Sequence, residues 1–351
     1  MGEIQGVGVP HDPSAMLPDA DMSAILRHTL TSPRIPGGLR DAAAWPPAMR
    51  AEWGSDQGAT AAPGHRRRLV EAFRSVRREI EAFRPDFLLI WGADQYEYFR
   101  EDLLPPFCVF ILDQVSCAPF REAEAAMPRR NIWGEAADTT FAYLGHPAGG
   151  RHLARRLLED GFDVPHAFRL REGRGLARAF VDTLLLLDHD RAGFPLPVVP
   201  FHVNALGSRA PRAQMGTTAA LAAGEADTLA PWPARCFDLG RATARILAAS
   251  PWRVSLVAAG SWSRAQLTDK HAWLYPDIEA DRARLAELER GDFNAWRLLS
   301  RAELEDAGQH EMLSWLCLAG AMSELGRGAK IVDWVESRVF NSSKCFAVFP
   351  A

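Results

Sequence analysis

An α/β fold is predicted by three features of this 351-residue sequence. Four short apolar runs end in polar or glycine-containing turns, helical apolar stripes lie between them, and the composition is ordinary globular usage, with 48% hydrophobic and 24% charged residues. The runs are "IQGVGVP" before His11, "FLLIWGA" before Asp94 and Gln95, "PLPVVPFHV" around His202, and "VSLVAAGS" before Arg264. Near-continuous apolar runs of this kind suit strands covered on both faces, as in a largely parallel sheet. The alternation of such strands with helices predicts one large domain over residues 1–351, its central sheet largely parallel or mixed and flanked by helices on both faces.

The helices follow from spacing. Leu69, Phe73, Val76, Ile80 and Phe83 share one helical face, Leu153, Leu157 and Leu158 another, and "CFDLGRATARILAAS" forms a third helix that ends before Pro251. Residues 32–64 are rich in Pro, Gly and Trp without clear period and read as an irregular flap or lid. Near the C-terminus, "ELEDAGQHEMLSWLCLAGAMSEL" reads as one helix with Leu304, Ala307, Trp315, Leu318 and Met322 on an apolar stripe. Glu311 falls in the middle of that stripe. A buried carboxylate must meet a cation, a metal or strong hydrogen-bond donors, and the sequence leaves the three open.

Composition also excludes some functions. The formal charge is −4 and Arg is dispersed, so nothing argues for nucleic acid; "HRRRL" at 65–69 reads as a solvated helix face. No apolar stretch is long enough to span a membrane and the first residues do not resemble a secretory signal, so a cytoplasmic protein is expected. The five cysteines are widely spaced with no Cys-x-x-Cys pair, which fits buried reduced thiols and no zinc ribbon. In open α/β sheets ligands gather beyond the carboxyl ends of the strands, so the polar turns at His11, Gln95, His202 and Arg264 are expected to converge on one cleft.

The stretches "GVGVPHDPS", "FLLIWGADQYEYF", "GRGLARAFVDTL", "VVPFHVN", "RCFDLG", "AAGSWSRAQLTDKH" and "HEMLSWLCLAGAM" together resemble the class III extradiol ring-cleavage dioxygenases of the catalytic beta-subunit type, as in protocatechuate 4,5-dioxygenase. They run in the family's order over nearly the whole chain. The resemblance implies a non-haem Fe(II) centre held by two His and one Glu, whose open face brings an aromatic diol and dioxygen together. By position, His11 is the first ligand and Glu311 the carboxylate, while the second His falls on Gln95. An amide oxygen is a weaker, neutral ligand, and His65 or His202 are chemical candidates to complete the set.

The family's acid–base His falls on Arg264 and its substrate-contacting His on Arg178. Arginine cannot shuttle protons near neutral pH, but its planar fork suits a carboxylate or another anion. Arg264 therefore clamps an acidic substrate, stabilises a reduced oxygen species, or fills a site that has lost its chemistry. Tyr96 is a candidate proton or hydrogen-bond donor beside Gln95, and His271, in "TDKHAW", a candidate replacement acid. The implied function is an Fe(II)-dependent extradiol-type dioxygenase acting on an aromatic diol or related acidic aromatic in aromatic catabolism. The alternative is a non-catalytic paralogous subunit of a dioxygenase complex. Expected partners are a small aromatic substrate and dioxygen, with assembly as a homo-oligomer or with a paralogous or small helical subunit.

Overall fold

The structure, a computed structural model, describes residues 2–95, 97–100, 102–124, 131–172, 174–205 and 230–351. β1 (Glu3–Val9) is followed by α1 (Ala24–Thr31), α2 (Pro47–Trp53) and the long α3 (Ala62–Phe83). β2 (Phe87–Gly92), β3 (Phe107–Phe110), β4 (Gln114–Cys117), α4 (Pro119–Glu124) and β5 (Phe141–Leu144) lead to α5 (Pro147–Glu159). Next come β6 (His166–Ala167), α6 (Arg178–Leu187), β7 (Val198–Val203), α7 (Pro233–Ala248) and β8 (Arg253–Ala259). The last part holds α8 (Ile278–Arg290), α9 (Phe293–Arg297), α10 (Arg301–Asp306), α11 (Met312–Glu324), β9 (Lys330–Val335) and β10 (Lys344–Phe349).

Among the described residues, eight strands form one mixed sheet in the order β6-β3-β7-β2-β8-β1-β10-β9, and β4 pairs with β5 in a small second sheet. The four runs expected as strands are its adjacent inner strands β7, β2, β8 and β1, each parallel to its neighbour. β10 and β9 add to β1 antiparallel, and β3 pairs antiparallel with β7. Successive strand side chains point to opposite faces, so Phe87, Leu89 and Trp91 of β2 pack with Phe237 of α7 and Trp315 of α11, while Leu88 and Ile90 pack with Phe73 of α3 and Phe180 of α6. Helices cover both faces, and the core is a double layer.

The alternating glycines of "IQGVGVP" have a packing reason. A Cβ at Gly8 would come within 2.1 Å of the Trp315 ring, and one at Gly6 within 2.5 Å of Met322 Sδ. Glycine on that face of β1 lets α11 lie directly on the strand, which sets the position of the residue just before α11, Glu311.

Three expectations need correction. Leu158 does not share the buried face of Leu153 and Leu157; it is 45% exposed. The helix expected from residue 303 is broken: α10 stops at Asp306, Gly308 takes φ +68°, and α11 starts at Met312 with Glu311 as its N-cap. Gly308 tolerates the left-handed backbone that reverses the chain. Residues 32–64 are not irregular throughout, because they carry α2 and two 3-10 turns. Their Ile35, Trp45, Met49 and Trp53 form a small core with Leu274, Val339 and Phe340, and Glu52 accepts hydrogen bonds from Ser337 Oγ and from the backbone of Arg338 and Val339. All five cysteines are buried free thiols, and no described helix is long and apolar enough to cross a membrane.

Candidate functional site

Three of the four polar turns converge at the carboxyl ends of the inner strands. His11 lies two residues past β1, Gln95 three past β2 and Arg264 five past β8. Glu311 reaches them from the start of α11, and Asp182 from the second turn of α6. The fourth expected member, His202, stays within β7. It is buried against Phe99 with Nε2 3.3 Å from Pro105 O, and burial pushes its pKa down to about 3, so it is a neutral core residue.

The segment "GSWSR" after β8 ties the others together. Ser261 N donates to Glu311 Oε2 at 2.8 Å, and Ser261 Oγ donates to the carbonyl of His11 at 2.7 Å. Arg264 Nη2 donates to the same carbonyl at 2.6 Å and to Glu311 Oε2 at 3.0 Å, and it lies 3.3 Å from His11 Nδ1. Gln95 Nε2 donates to the other Glu311 oxygen at 2.5 Å. His11 is held between two carboxylates, with Nδ1 3.4 Å from Glu311 Oε1 and Nε2 3.4 Å from Asp182 Oδ2. His11, Asp182, Arg264 and Glu311 are each at most 3% exposed, so these ion pairs work in a low dielectric.

The charge states follow. Burial alone would depress the pKa of His11, but the charge of Glu311 and hydrogen bonding to Asp182 and Glu311 raise it to about 9, so the ring is an imidazolium at neutral pH. Burial alone would raise the pKa of Glu311, but Arg264 and His11 hold it down to about 2. The outer edge of the cluster is partly exposed. There Arg178 Nε sits 3.4 Å from Asp182 Oδ2, one helical turn away, and Arg178 N donates to Glu97 Oε2 at 2.6 Å. Burial of its carboxyl group, and then the nearby Asp94, raise the pKa of Glu97 to about 7. Asp94 itself accepts the backbone N–H groups of Glu97, Tyr98 and Phe99 at 2.8, 2.9 and 3.1 Å, which shapes the turn that presents Gln95 and Glu97.

His11, Gln95, Glu311, Arg264 and Arg178 are thus in one cluster, and two other candidates are elsewhere. His65, on α3, packs on Phe340 with ring centroids 4.7 Å apart, and burial and then Lys344 keep it neutral. Among the described residues no hydrogen bond or ion pair joins it to His11, Gln95 or Glu311. His271 is stacked on Tyr275 at 4.1 Å. Tyr96 lies outside the described residues. Sequence reasoning missed Asp182 and Glu97. An acid inside the apolar run "AFVDTLLLL", four residues after Arg178, was the available signal for Asp182.

No protein-family model matches the chain. Relatives among curated proteins are the 2,3-dihydroxyphenylpropionate/2,3-dihydroxicinnamic acid 1,2-dioxygenases of Photorhabdus laumondii (22% identical over 210 residues, 60% of this chain), Burkholderia vietnamiensis (25% over 308 residues, 74%) and Paraburkholderia phymatum (27% over 290 residues, 76%). The chain is similar to dioxygenases. It spans about half the Photorhabdus protein, 52% of its length, and 83% and 84% of the other two. A solved structure of an uncharacterized protein from Escherichia coli K12 aligns over 80% of this chain and 91% of that chain, with 13% identity and a TM-score of 0.46.

The residues present do not fit the ferrous ion that the resemblance implies. The 2-His-1-carboxylate triad needs a second imidazole beside His11 and Glu311. That position is Gln95, and among the described residues no group of three or more His, Cys, Asp or Glu is arranged to hold a metal. The Arg264 guanidinium lies within 3.3 Å of both would-be ligands, so a cation is already seated between them.

Proposed function

We propose that this chain binds an aromatic diol with an acidic side chain, of the dihydroxyphenylpropionate kind, at the carboxyl ends of β1, β2 and β8, and handles it with its own acid–base and cationic groups. The reading rests on one observation: His11, Asp182 with Arg178, Arg264 and Glu311 come from four separate parts of the chain to a single cluster where ligands of open α/β sheets gather. The names of the relatives, which act on dihydroxyphenylpropionate and dihydroxycinnamic acid, support the choice of ligand.

Each group has a task in this reading. Arg178, partly exposed at the rim, pairs with the carboxylate of the ligand's side chain. Glu97, titrating near neutrality, takes the proton of one ring hydroxyl on its carboxylate, since general-base work is best done by a group whose pKa is close to the working pH. Arg264 and the His11 imidazolium supply positive potential toward the resulting phenolate, inside a region where water does not screen it. Gln95, hydrogen-bonded to Glu311, offers its remaining amide atoms to the second hydroxyl.

Calorimetric titration with 2,3-dihydroxyphenylpropionate, catechol and phenylpropionate tests the reading. The diol acid is expected to bind tightest, and Arg178→Ala to weaken it about tenfold, roughly 1.4 kcal/mol, while leaving catechol unchanged. Equal binding of phenylpropionate and the diol acid would refute the assignment. Oxygen uptake with the bound diol then separates turnover from binding: uptake that is lost in His11→Ala and Glu311→Gln assigns oxygenase activity to this centre.

A further inference from the structure

We infer that Arg264 is the resident cation of this centre and that its guanidinium excludes divalent metal ions from the His11–Glu311 pair. The inference rests on the geometry of the pair itself and stands whether or not the ligand is an aromatic diol.

His11 Nδ1 and Glu311 Oε1 lie 3.4 Å apart, close enough for one ion to touch both. The space beside them is taken by Arg264 Nη2, 3.3 Å from the imidazole nitrogen and 3.0 Å from Glu311 Oε2. The guanidinium is not free to swing away. Nη2 is tied to the His11 carbonyl at 2.6 Å, and the backbone on either side is fixed, with Arg264 N donating to Gly308 O at 3.1 Å and Ala265 N to Asn341 O at 2.8 Å. Arg264 is 3% exposed, so it is packed in place and not reaching in from solvent.

Charge reinforces sterics. A divalent ion entering here meets a fixed positive charge at contact distance among side chains at most 3% exposed, where repulsion is weakly screened. The carboxylates need compensating positive charge, and Arg264 supplies it permanently, without loading or loss of a cofactor. Gln95 is consistent with that arrangement, because its amide donates to Glu311 Oε1.

The test is metal binding by the purified chain. Wild-type protein, stripped with chelator and titrated anaerobically with Fe(II) and with Co(II) as an optical reporter, is expected to retain no metal after gel filtration. It should develop no Co(II) ligand-field bands and show no shift in melting temperature. Arg264→Ala is expected to bind one Co(II) per chain, with new visible bands and a melting temperature raised by a few degrees when metal is added. Arg264→Ala/Glu311→Gln is expected to lose that gain. Wild-type protein that binds one Fe(II) or Co(II) per chain, and loses it in Glu311→Gln, overturns the inference without any variant of Arg264. Folded Arg264→Ala that still takes no metal overturns the assignment of exclusion to the guanidinium. Should that variant fail to fold, Arg264→Gln, which keeps a donor for the His11 carbonyl, is read in the same way.

Discussion

Replacing Arg264 with Met removes one partner of a fully buried ion pair and is expected to destabilise the protein by about 3 kcal/mol. Breaking such a pair from one side typically costs about 3–5 kcal/mol, because the remaining charge stays buried without its counterion. Here the lower end applies. Glu311 would keep Ser261 N at 2.8 Å, Gln95 Nε2 at 2.5 Å and the His11 imidazolium at 3.4 Å, so it loses one of several partners, and the His11 carbonyl loses the 2.6 Å donor. Replacing both residues, Arg264→Met with Glu311→Met, removes the uncompensated charge. Apolar replacement of a whole buried pair is often close to neutral, so the double variant is expected to recover about 2 kcal/mol relative to the sum of the single changes. Urea midpoints at pH 7, in buffer with chelator so that no ion stands in for the guanidinium, give the four corners of the cycle. A single-variant cost under about 1 kcal/mol, or strict additivity in the double variant, would refute the claim that this pair is coupled in the folded state.

Four further outcomes follow from other parts of the molecule. Gly240→Ala places a Cβ 1.8 Å from the carbonyl of Cys317, so α7 and α11 must separate, and a thermal melt followed by circular dichroism should show a loss of about 3 kcal/mol or failure to fold. Lys344→Met leaves the buried Asp12, 3.1 Å from the Lys344 amine, without its counterion and should cost about 3–5 kcal/mol by guanidinium unfolding, whereas the paired change with Asp12→Asn should cost less. Burial raises the pKa of Asp281 from 3.8 to about 7, so its contribution is complete below pH 4 and is lost as pH rises through 7. Stability from urea unfolding should therefore fall between pH 5 and 8 in wild type, by up to about 2.7 kcal/mol, and Asp281→Asn should flatten that slope. Glu97→Gln should abolish a change in affinity for the diol near pH 7, measured by calorimetry across pH 6–8; an unchanged profile would remove Glu97 as the proton acceptor.

The inner strands were legible because burial on both faces writes itself into composition. "FLLIWG" and "RVSLVAA" are short, largely apolar runs bounded by turn residues, and their length of six or seven residues with β-branched and aromatic side chains suits a strand buried on both faces. β9 and β10 were not legible for the converse reason. β9 is half-exposed at the sheet edge, with Asp333 paired to Arg68 on α3, so "KIVDWV" carries a weak alternation, and its place beside β10 is set by pairing across the chain's end and not by local pattern. The break between α10 and α11 shows how a periodic stripe misleads. Leu304, Ala307, Trp315 and Leu318 are all buried as the spacing predicts, yet they belong to two helices, since Gly308 reverses the backbone without moving its neighbours off the core.

At the site, position was legible and electrostatic partnership was not. His11, Gln95 and Arg264 were found because residues just past the ends of inner strands face the same cleft, a rule that depends only on chain direction. Asp182 was missed because its partner His11 is far away in sequence, and only the fold brings them to 3.4 Å. Once Asp182 is included, the departures from the metal-binding pattern become one coherent change. Two buried carboxylates, Glu311 and Asp182, require positive charge close by. Here Arg264 on Glu311, Arg178 on Asp182 and the His11 imidazolium between the two carboxylates provide it. The Gln95 amide adds a neutral hydrogen bond to the same carboxylate, donating to Glu311 Oε1. Arg264, Arg178 and Gln95 thus all serve the two buried carboxylates, the arginines as counterions and the amide as a donor to Glu311.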